Sequence, residues 1–253
     1  MLDGLLHRLA LRKPIEETVA LVVAHPDDEV IGAGAVLPLF RRLILVHVTD
    51  GAPRNLADAT AHGFPDAACY AAARSAELDD AFTDIKVERV GLGAADQGAS
   101  AELVPLTHAL RTVLARHRVD AVLTHAYEGG HPDHDATAFL AAHCKVPVYE
   151  FASYHAGPDG SLTTGTFLPG PDSVRLCLTP EERRRKRAML DCFVTQAATL
   201  AAFGTGSETF RTAPLYDFAK PPHPGVLHYE HYDWGMTGER WRSLARTAHA
   251  ALC

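Results

Sequence analysis

The sequence has no disulfide-like cysteine spacing, no excess of basic charge, no long apolar run and no repeat, and each absence removes a class of protein. Its five cysteines, Cys69, Cys144, Cys177, Cys192 and Cys253, are odd in number and form no Cys-x-x-Cys pair. That pattern suits a reducing compartment better than a disulfide framework. Residues 1–20 carry Arg8, Arg12, Lys13, Glu16 and Glu17 and have no apolar stretch long enough for a signal peptide. Nowhere does an apolar run approach the roughly 20 residues of a membrane span. A cytoplasmic protein is expected. Lys and Arg total 24 against 31 Asp and Glu, a net charge of -7, which argues against nucleic acid as a partner. The one basic run, Arg183 to Arg187, follows Thr179-Pro180-Glu181, a helix start, and reads as a solvated helix face.

What is present is ordinary globular material. The chain has 253 residues, 47% hydrophobic and 22% charged, enough for one large α/β domain with a buried core. The apolar run at 18–24 reads as a strand buried on both faces, and further strands are read at 43–48, 86–92, 120–124 and 146–152. Helical stretches at 29–42, 65–82, 103–117 and 134–143 fall between them, and another is expected over 180–200. Alternation of this kind predicts a doubly wound, mostly parallel, Rossmann-like sheet with helices on both faces. No linker marks a second domain. The expected core is about 15–155, with a capping region at about 173–253. Residues 156–172, with Gly157, Pro158, Gly160, Gly165 and Pro169, read as an exposed loop, and 214–238 as an irregular segment rich in His, Tyr and Trp.

Two clusters carry the chemistry. Ala24-His25-Pro26-Asp27-Asp28-Glu29 directly follows the first strand, and Gly129-Gly130-His131-Pro132-Asp133-His134-Asp135 follows the fourth. Open α/β sheets bind ligands outside the carboxyl ends of strands where the strand order reverses, and the first and fourth strands are commonly neighbours there. Three consecutive carboxylates at such a point are costly unless a cation compensates. A Asp-Asp-Glu after a strand is usually no more than a helix start. Two His-Pro-Asp clusters at one switch point shift the balance to a metal site. His25, one Asp and one His would then supply three N and O ligands and leave a fourth position for water, the arrangement of a catalytic zinc.

His25-Pro26-Asp27-Asp28-Glu29 and His131-Pro132-Asp133-His134 strongly resemble the two signature motifs of the LmbE/PIG-L family of zinc-dependent de-N-acetylases. The resemblance implies that His25, Asp28 and His134 bind zinc and that Asp27 is the general base. It implies that His131 stabilises the oxyanion and protonates the leaving amine, with Asp133 orienting or tuning it. Arg74 and Glu77 match a family Arg-x-x-Glu pattern in which the Arg contacts substrate, and Asp96 matches a residue expected to bind sugar hydroxyls. Thr49-Asp50-Gly51 closes the second strand in a family-like way, and His125, ending the fourth, is a candidate for the pocket. Tyr127 is out of register with the tyrosine of some relatives and takes no role. Gln196, Glu208 to Arg211 and Tyr229-Glu230 look family-like without implying a mechanism. The implied partner is a small amino-sugar or glycoconjugate substrate, with homo-oligomerisation left open.

Three rival readings are set against this one. Gly32 and Gly34 follow a strand as in a dinucleotide-binding oxidoreductase, but they lie too far inside the helix for a phosphate loop, so helix–sheet packing is their expected use. A non-catalytic sugar-binding protein and a same-fold hydrolase of another amide or carbamoyl group are the others. The tail from Pro214 to Trp234, with Tyr216, His223, His228, Tyr229 and Trp234, could add walls to a pocket.

Overall fold

The computed structural model describes residues 4–157 and 159–252; Pro158 of the expected loop and Cys253 lie outside the described residues. The chain opens with α1 (Gly4–Ala10), β1 (Ile15–Val23), α2 (Asp28–Ala33), β2 (Phe40–Pro53), α3 (Ala57–Ala61), α4 (Ala67–Ala81) and β3 (Glu88–Asp96). It continues through α5 (Leu103–Arg116), β4 (Ala121–His125), α6 (Pro132–Ala142), β5 (Val148–Phe151), β6 (Tyr154–Ala156) and β7 (Leu162–Thr164). The last part holds β8 (Ser173–Cys177), α7 (Pro180–Leu190), α8 (Ala197–Leu200), β9 (Ser207–Thr212) and α9 (Gly238–Leu252).

Seven strands form one sheet in the order β3-β2-β1-β4-β5-β9-β8. The first five run parallel, and β9 and β8 close the edge antiparallel. The order reverses between β1 and β4, where Leu21 stands opposite Leu45 on one side and Leu123 on the other. Successive residues of a strand face opposite sides, so β1 feeds two cores. Val19, Leu21 and Val23 pack with α1, α2, α4 and α7, while Ala20 and Val22 pack with α5, α6 and α9. Both faces of the central strands are therefore dry, as the unbroken apolar runs require. No helix among the described residues is long and apolar enough to cross a membrane.

Several expected boundaries are corrected. The helix expected over 29–42 ends at Ala33; a 3-10 turn at Leu37–Leu39 follows, and residues 40–42 belong to β2. Gly34 and Pro38 interrupt the helical pattern, and β2 takes up the chain behind them. The helix expected over 180–200 stops at Leu190, with a short α8 after it. The expected loop at 156–172 contains β7, which pairs with β6 as a hairpin. The basic run is solvated at Arg183, Arg184 and Arg187, but Lys186 turns inward, 1% exposed, and donates to Glu208 at 2.8 Å and to the Ile31 carbonyl at 2.7 Å. Its start is a full capping box between Thr179 and Glu182.

Gly32 has a packing reason. A Cβ there would run into the ring of Phe151, which is fully buried and set edge-on against His125 with ring centroids 4.7 Å apart. Helix propensity alone favours Ala over Gly by about 1 kcal/mol, whereas overpacking costs about 1–3 kcal/mol. Gly32→Ala is therefore expected to destabilise, by about 2 kcal/mol at most after the two effects are combined, and to lower the urea midpoint. A raised midpoint would show that Phe151 yields freely and that α2 does not lean on the sheet through this glycine.

Candidate metal centre and active site

The first cluster begins where β1 ends. Thr49 of β2 binds the Ala24 carbonyl through both its N–H (3.0 Å) and its hydroxyl (2.9 Å), which anchors the exit of the strand. The chain then turns sharply at Asp27, a non-glycine residue at φ 134°, ψ -30°. Such a conformation costs on the order of 1–3 kcal/mol and persists only where its surroundings over-determine it. Arg74 of α4 supplies that constraint. Its Nη2 donates to the Pro26 carbonyl and to Asp27 Oδ2, each at 2.8 Å, and its Nη1 donates to the Gly51 carbonyl at 2.6 Å. Gly51, at φ 68°, has no Cβ to collide with that guanidinium, so the Thr49-Asp50-Gly51 turn is the seat of the arginine. Asp28 then accepts the His25 N–H at 2.8 Å on Oδ2.

The second cluster is held differently. His131 is the residue that caps α6, and its Nδ1 accepts the N–H of Asp133 at 3.1 Å. A nitrogen that accepts carries no proton, so the neutral ring bears its proton on Nε2. That nitrogen lies 3.8 Å from Asp96 Oδ1 on the cavity side. Pro132 occupies the first helical position, where its missing N–H costs nothing.

The two clusters meet. Asp28 spans two imidazoles, with Oδ2 3.2 Å from His25 Nδ1 and Oδ1 3.1 Å from His134 Nε2. Ligands of a tetrahedral zinc with bonds of about 2.0–2.1 Å stand roughly 3.3 Å apart, and each of these two contacts has that spacing, though through different oxygens of Asp28. His25, His131 and His134 likewise offer nitrogens within 4.8 Å of one another. Two further groupings are less available. His125 is buried behind the cluster, stacked on His134 at 3.9 Å, and its Nε2 accepts the Ala24 N–H at 3.2 Å. Asp133 accepts the N–H groups of Gln97 (2.6 Å) and Ala99 (3.1 Å) and lies 3.4 Å from His25 Nε2. Its carboxylate thus reaches His25, while only its backbone N–H orients His131.

Electrostatics point the same way. Burial by itself would push the His25 imidazolium down, but Asp96, Asp133 and Asp28 outweigh it and hold the group well above its ordinary value. The protein thus demands a positive charge where the carboxylates converge. Burial pushes His134 down to about 3, and burial with the charge on His25 holds His131 well below the usual range, so both rings are neutral, with the lone pair of His131 taken by the Asp133 N–H. Asp28 stays ionised because His134 and His125 overcome its burial. Asp27 is pushed up to about 8 by burial, with Arg74 opposing and Asp28 adding to the rise.

Arg74 and Asp96, implied as substrate contacts, line the cavity yet are engaged within the site. Asp96 Oδ1 is 3.1 Å from His25 Nε2 and its Oδ2 is 3.9 Å from Arg74. Glu77 does not join them; it receives the N–H and hydroxyl of Thr195, each at 2.7 Å, and ties α4 to the chain ahead of α8. The cavity over the cluster, about 230 Å³, has Asn55, Asp58, Gln97 and Gln196 on its rim and Ile31, Phe203, Tyr154 and Trp234 as apolar wall. Trp234 packs on His131 at 4.8 Å and is stacked in turn by Tyr232 at 4.5 Å. Of these wall residues the sequence pointed to Trp234 alone, and no local signal marks Tyr154 or Phe203. A larger cavity, about 620 Å³, lies at the amino end of β5 among residues such as Val146, Tyr216 and Phe218. It contains none of the clustered ligands, so the smaller cavity is where the chemistry sits.

Residues 20–145 match the family described as PIG-L, GlcNAc-PI de-N-acetylase. No curated protein sequence matches the chain. Among solved structures, a deacetylase triple mutant (Orf2*T) of the teicoplanin biosynthetic pathway is 20% identical over 79% of this chain and 100% of its own, with a TM-score of 0.62. The N,N'-diacetylchitobiose deacetylase of Pyrococcus horikoshii is 17% identical over 83% of this chain and 90% of its own, at 0.54. GalB, the 4-carboxy-2-hydroxymuconate hydratase of Pseudomonas putida KT2440, is 18% identical over 79% and 98%, at 0.50. At these identities the likeness is one of fold.

The Arg74–Asp27 pair, 3% and 6% exposed, gives a test of how the first cluster is held. Arg74→Met leaves a buried carboxylate unpaired and should cost the metal-free protein about 3–5 kcal/mol. Adding Asp27→Asn should return roughly 1–3 kcal/mol of that loss. Urea denaturation of the four proteins measures the coupling; strictly additive losses would mean that Arg74 serves only the carbonyls of Pro26 and Gly51.

Proposed function

We propose that this chain, a PIG-L-family protein by residues 20–145, is a metal-dependent hydrolase that removes an N-acetyl group from an amino sugar or glycoconjugate. The observation that carries the reading is the Asp28 carboxylate spanning His25 and His134 beside the Nε2–H of His131. His25, Asp28 and His134 are assigned as the ligands. Zinc is the ion we assign, because two nitrogens and a carboxylate oxygen with an open fourth position suit it; other first-row divalent ions accept the same donors. When bound, such an ion polarises a carbonyl and lowers the pKa of water.

The remaining steps belong to side chains. Asp27 Oδ2 is occupied by Arg74, which leaves Oδ1 to accept the proton of the attacking water. The Nε2–H of His131 donates to the oxygen that becomes negative, and the proton that Asp27 takes from water passes to the departing nitrogen. Asp133 fixes that tautomer through its backbone N–H and steadies His25 through its carboxylate. We assign Arg74 and Asp96, both of which line the cavity, to substrate hydroxyls as well as to orienting Asp27 and His25: Arg74 Nη2 donates to Asp27, and Asp96 Oδ1 lies 3.1 Å from His25 Nε2. The polar rim of Asn55, Asp58, Gln97 and Gln196 faces a hydroxylated substrate, and Trp234 and Phe203 its apolar ring face. We read residues 1–253 as one domain. A cytoplasmic location accords with the free thiols of Cys69, Cys144, Cys177 and Cys192.

Acetate release from a panel of N-acetylated sugars, with a simple aliphatic acetamide alongside and metal content measured on the same samples, tests the reading. Chelation should abolish turnover and zinc restore it. Alanine at His25, Asp28 or His134 should lower metal content and activity together. Asp27→Asn should keep the metal and lose a factor on the order of 10² to 10⁴ in turnover; an emptied site would exchange the roles of the two aspartates. His131→Ala should depress kcat more than it raises KM. A zinc-loaded chain that releases acetate from none of the sugars, or no faster than from the acetamide, ends the proposal.

A further inference from the structure

We propose that Glu128, gripped by Arg211 of β9 and by the Leu168 amide, is a positioning residue that sets His131 over the metal cluster, so that chain beyond residue 145 completes the active site. The inference rests on the function proposed above. Glu128 stands three residues before His131, in the loop that joins β4 to α6. It is 3% exposed, and its carboxylate meets the chain beyond residue 145. There Oε1 accepts the Leu168 N–H at 2.7 Å and lies 3.4 Å from Arg211 Nη2.

Arg211 is itself fixed from several sides. Its Nε donates to Glu150 at 2.7 Å, its Nη2 to the Tyr216 hydroxyl at 2.9 Å, and its guanidinium covers the Phe167 ring at 3.9 Å. Tyr216 donates in turn to Glu150 at 2.7 Å. A guanidinium so tied has little rotamer freedom left to lose, which makes it a rigid post for the loop. The same loop is grasped elsewhere by late chain. The His228 N–H donates to the Gly129 carbonyl at 2.8 Å, Leu227 fills the space beside Gly129, and Trp241 Nε1 donates to the Pro132 carbonyl at 3.0 Å. Only Asp135, which accepts the N–H groups of Glu128 (3.2 Å) and Gly129 (3.0 Å), holds the loop from within the family-matched span.

Two roles of the Arg211 cluster must be separated. Glu150 faces Arg211 across the β5–β9 ladder, so that pair seals the antiparallel edge and belongs to the fold. Glu128 adds nothing to the ladder; it ties the loop it sits in to Arg211 and to the Leu168 amide. Burial pushes Glu128 up to about 8, with Arg211 opposing, so the tether works as a shaped acceptor and does not need its full charge. An amide of the same shape should therefore replace it, and a methyl group should not.

The test uses the full zinc-loaded chain and the best N-acetyl sugar of the panel. Glu128→Ala should lower kcat about 10- to 100-fold, the scale of an ångström-size misplacement, with KM changed less than about threefold and metal content intact. Glu128→Gln should keep kcat within about threefold of the parent. Hydrogen exchange at the amides of residues 128 and 129 should quicken at least about tenfold in Glu128→Ala and stay at the parent rate in Glu128→Gln. Combining Glu128→Ala with Arg211→Met should cost less than about threefold in kcat beyond Glu128→Ala alone, as members of one chain of contacts are non-additive. Glu128→Ala with parental kcat and parental exchange overturns the proposal, as does a loss confined to KM or matched equally by Glu128→Gln. Should Arg211→Met fail to fold, the alanine–glutamine contrast decides alone. If the parent chain releases no acetate from any sugar, the proposed function fails, and the exchange measurement still decides whether Glu128 tethers the loop.

Discussion

Too much negative charge in too little water is the condition from which the rest of this structure follows. Asp27, Asp28, Asp96 and Asp133 converge at the carboxyl ends of β1 and β4, all but Asp96 nearly or wholly shut off from solvent. Buried carboxylates must be paired, hydrogen-bonded or protonated. Arg74 is the permanent cation in contact with them, and it answers chiefly for Asp27. What remains falls on His25, which the surrounding acids drive towards the charged form against the pull of burial. A proton there and a divalent ion there solve the same electrostatic problem.

The fold delivers these groups by two unlike routes, although each route is written His-Pro-Asp. In the first, the proline precedes the helix, and α2 begins only at Asp28. In the second, the proline is the first helical residue and His131 is the cap. The same triplet therefore turns its histidine to different work. His25 faces three carboxylates and is poised to bear or replace positive charge, whereas His131 has one nitrogen occupied by a backbone N–H and the other carrying its proton towards the cavity. Acidic residues in the first turn of each helix sit where the helix dipole favours them. Asp133 and Asp135 use that position to bind backbone N–H groups of neighbouring loops, so each shapes the site without leaving its helix.

The parts of this architecture legible in the sequence are those with a local signature. The apolar stretches of β1, β2 and β4 are covered on both faces, whereas β3 lies half exposed at the sheet edge, and the two clusters are conspicuous because acids follow directly on such buried strands. β8 and β9 left no comparable trace. Ser207-Glu208-Thr209-Phe210-Arg211-Thr212 reads as polar surface, yet Glu208 and Arg211 are buried by Lys186 and Glu150, partners 22 and 61 residues away. Burial by distant pairing has no period to detect. α9 does carry a helical spacing in its sequence, with Trp241, Ala245 and Ala248 on one buried face. Within the site, a substrate-binding arginine and a loop-clamping one look alike in sequence. That Arg74 clamps the turn emerges only once Pro26, Asp27 and Gly51 are seen around it, and it lines the cavity as well.

Neither fold nor cavity size chooses the reaction. A hydratase shares this chain's fold at a TM-score of 0.50, and the larger of the two cavities, about 620 Å³, offers mostly apolar wall. The choice is made by details a few ångströms across. A carboxylate spanning two imidazoles suits a nitrogen–oxygen metal site, and a second aspartate beside it is held by a guanidinium. A histidine whose proton is fixed on the cavity side suits a reaction in which an oxygen gains charge and a nitrogen must leave. Each of these asks for a neighbour that restrains it: Arg74 for Asp27, Asp133 for His131, Asp28 for both metal-facing histidines. Hydrolysis of an amide uses all three restraints at once. A protein that merely bound a sugar would have no use for the strained turn at Asp27 or for a proton pinned to His131, and on that ground the catalytic reading stands above the binding one.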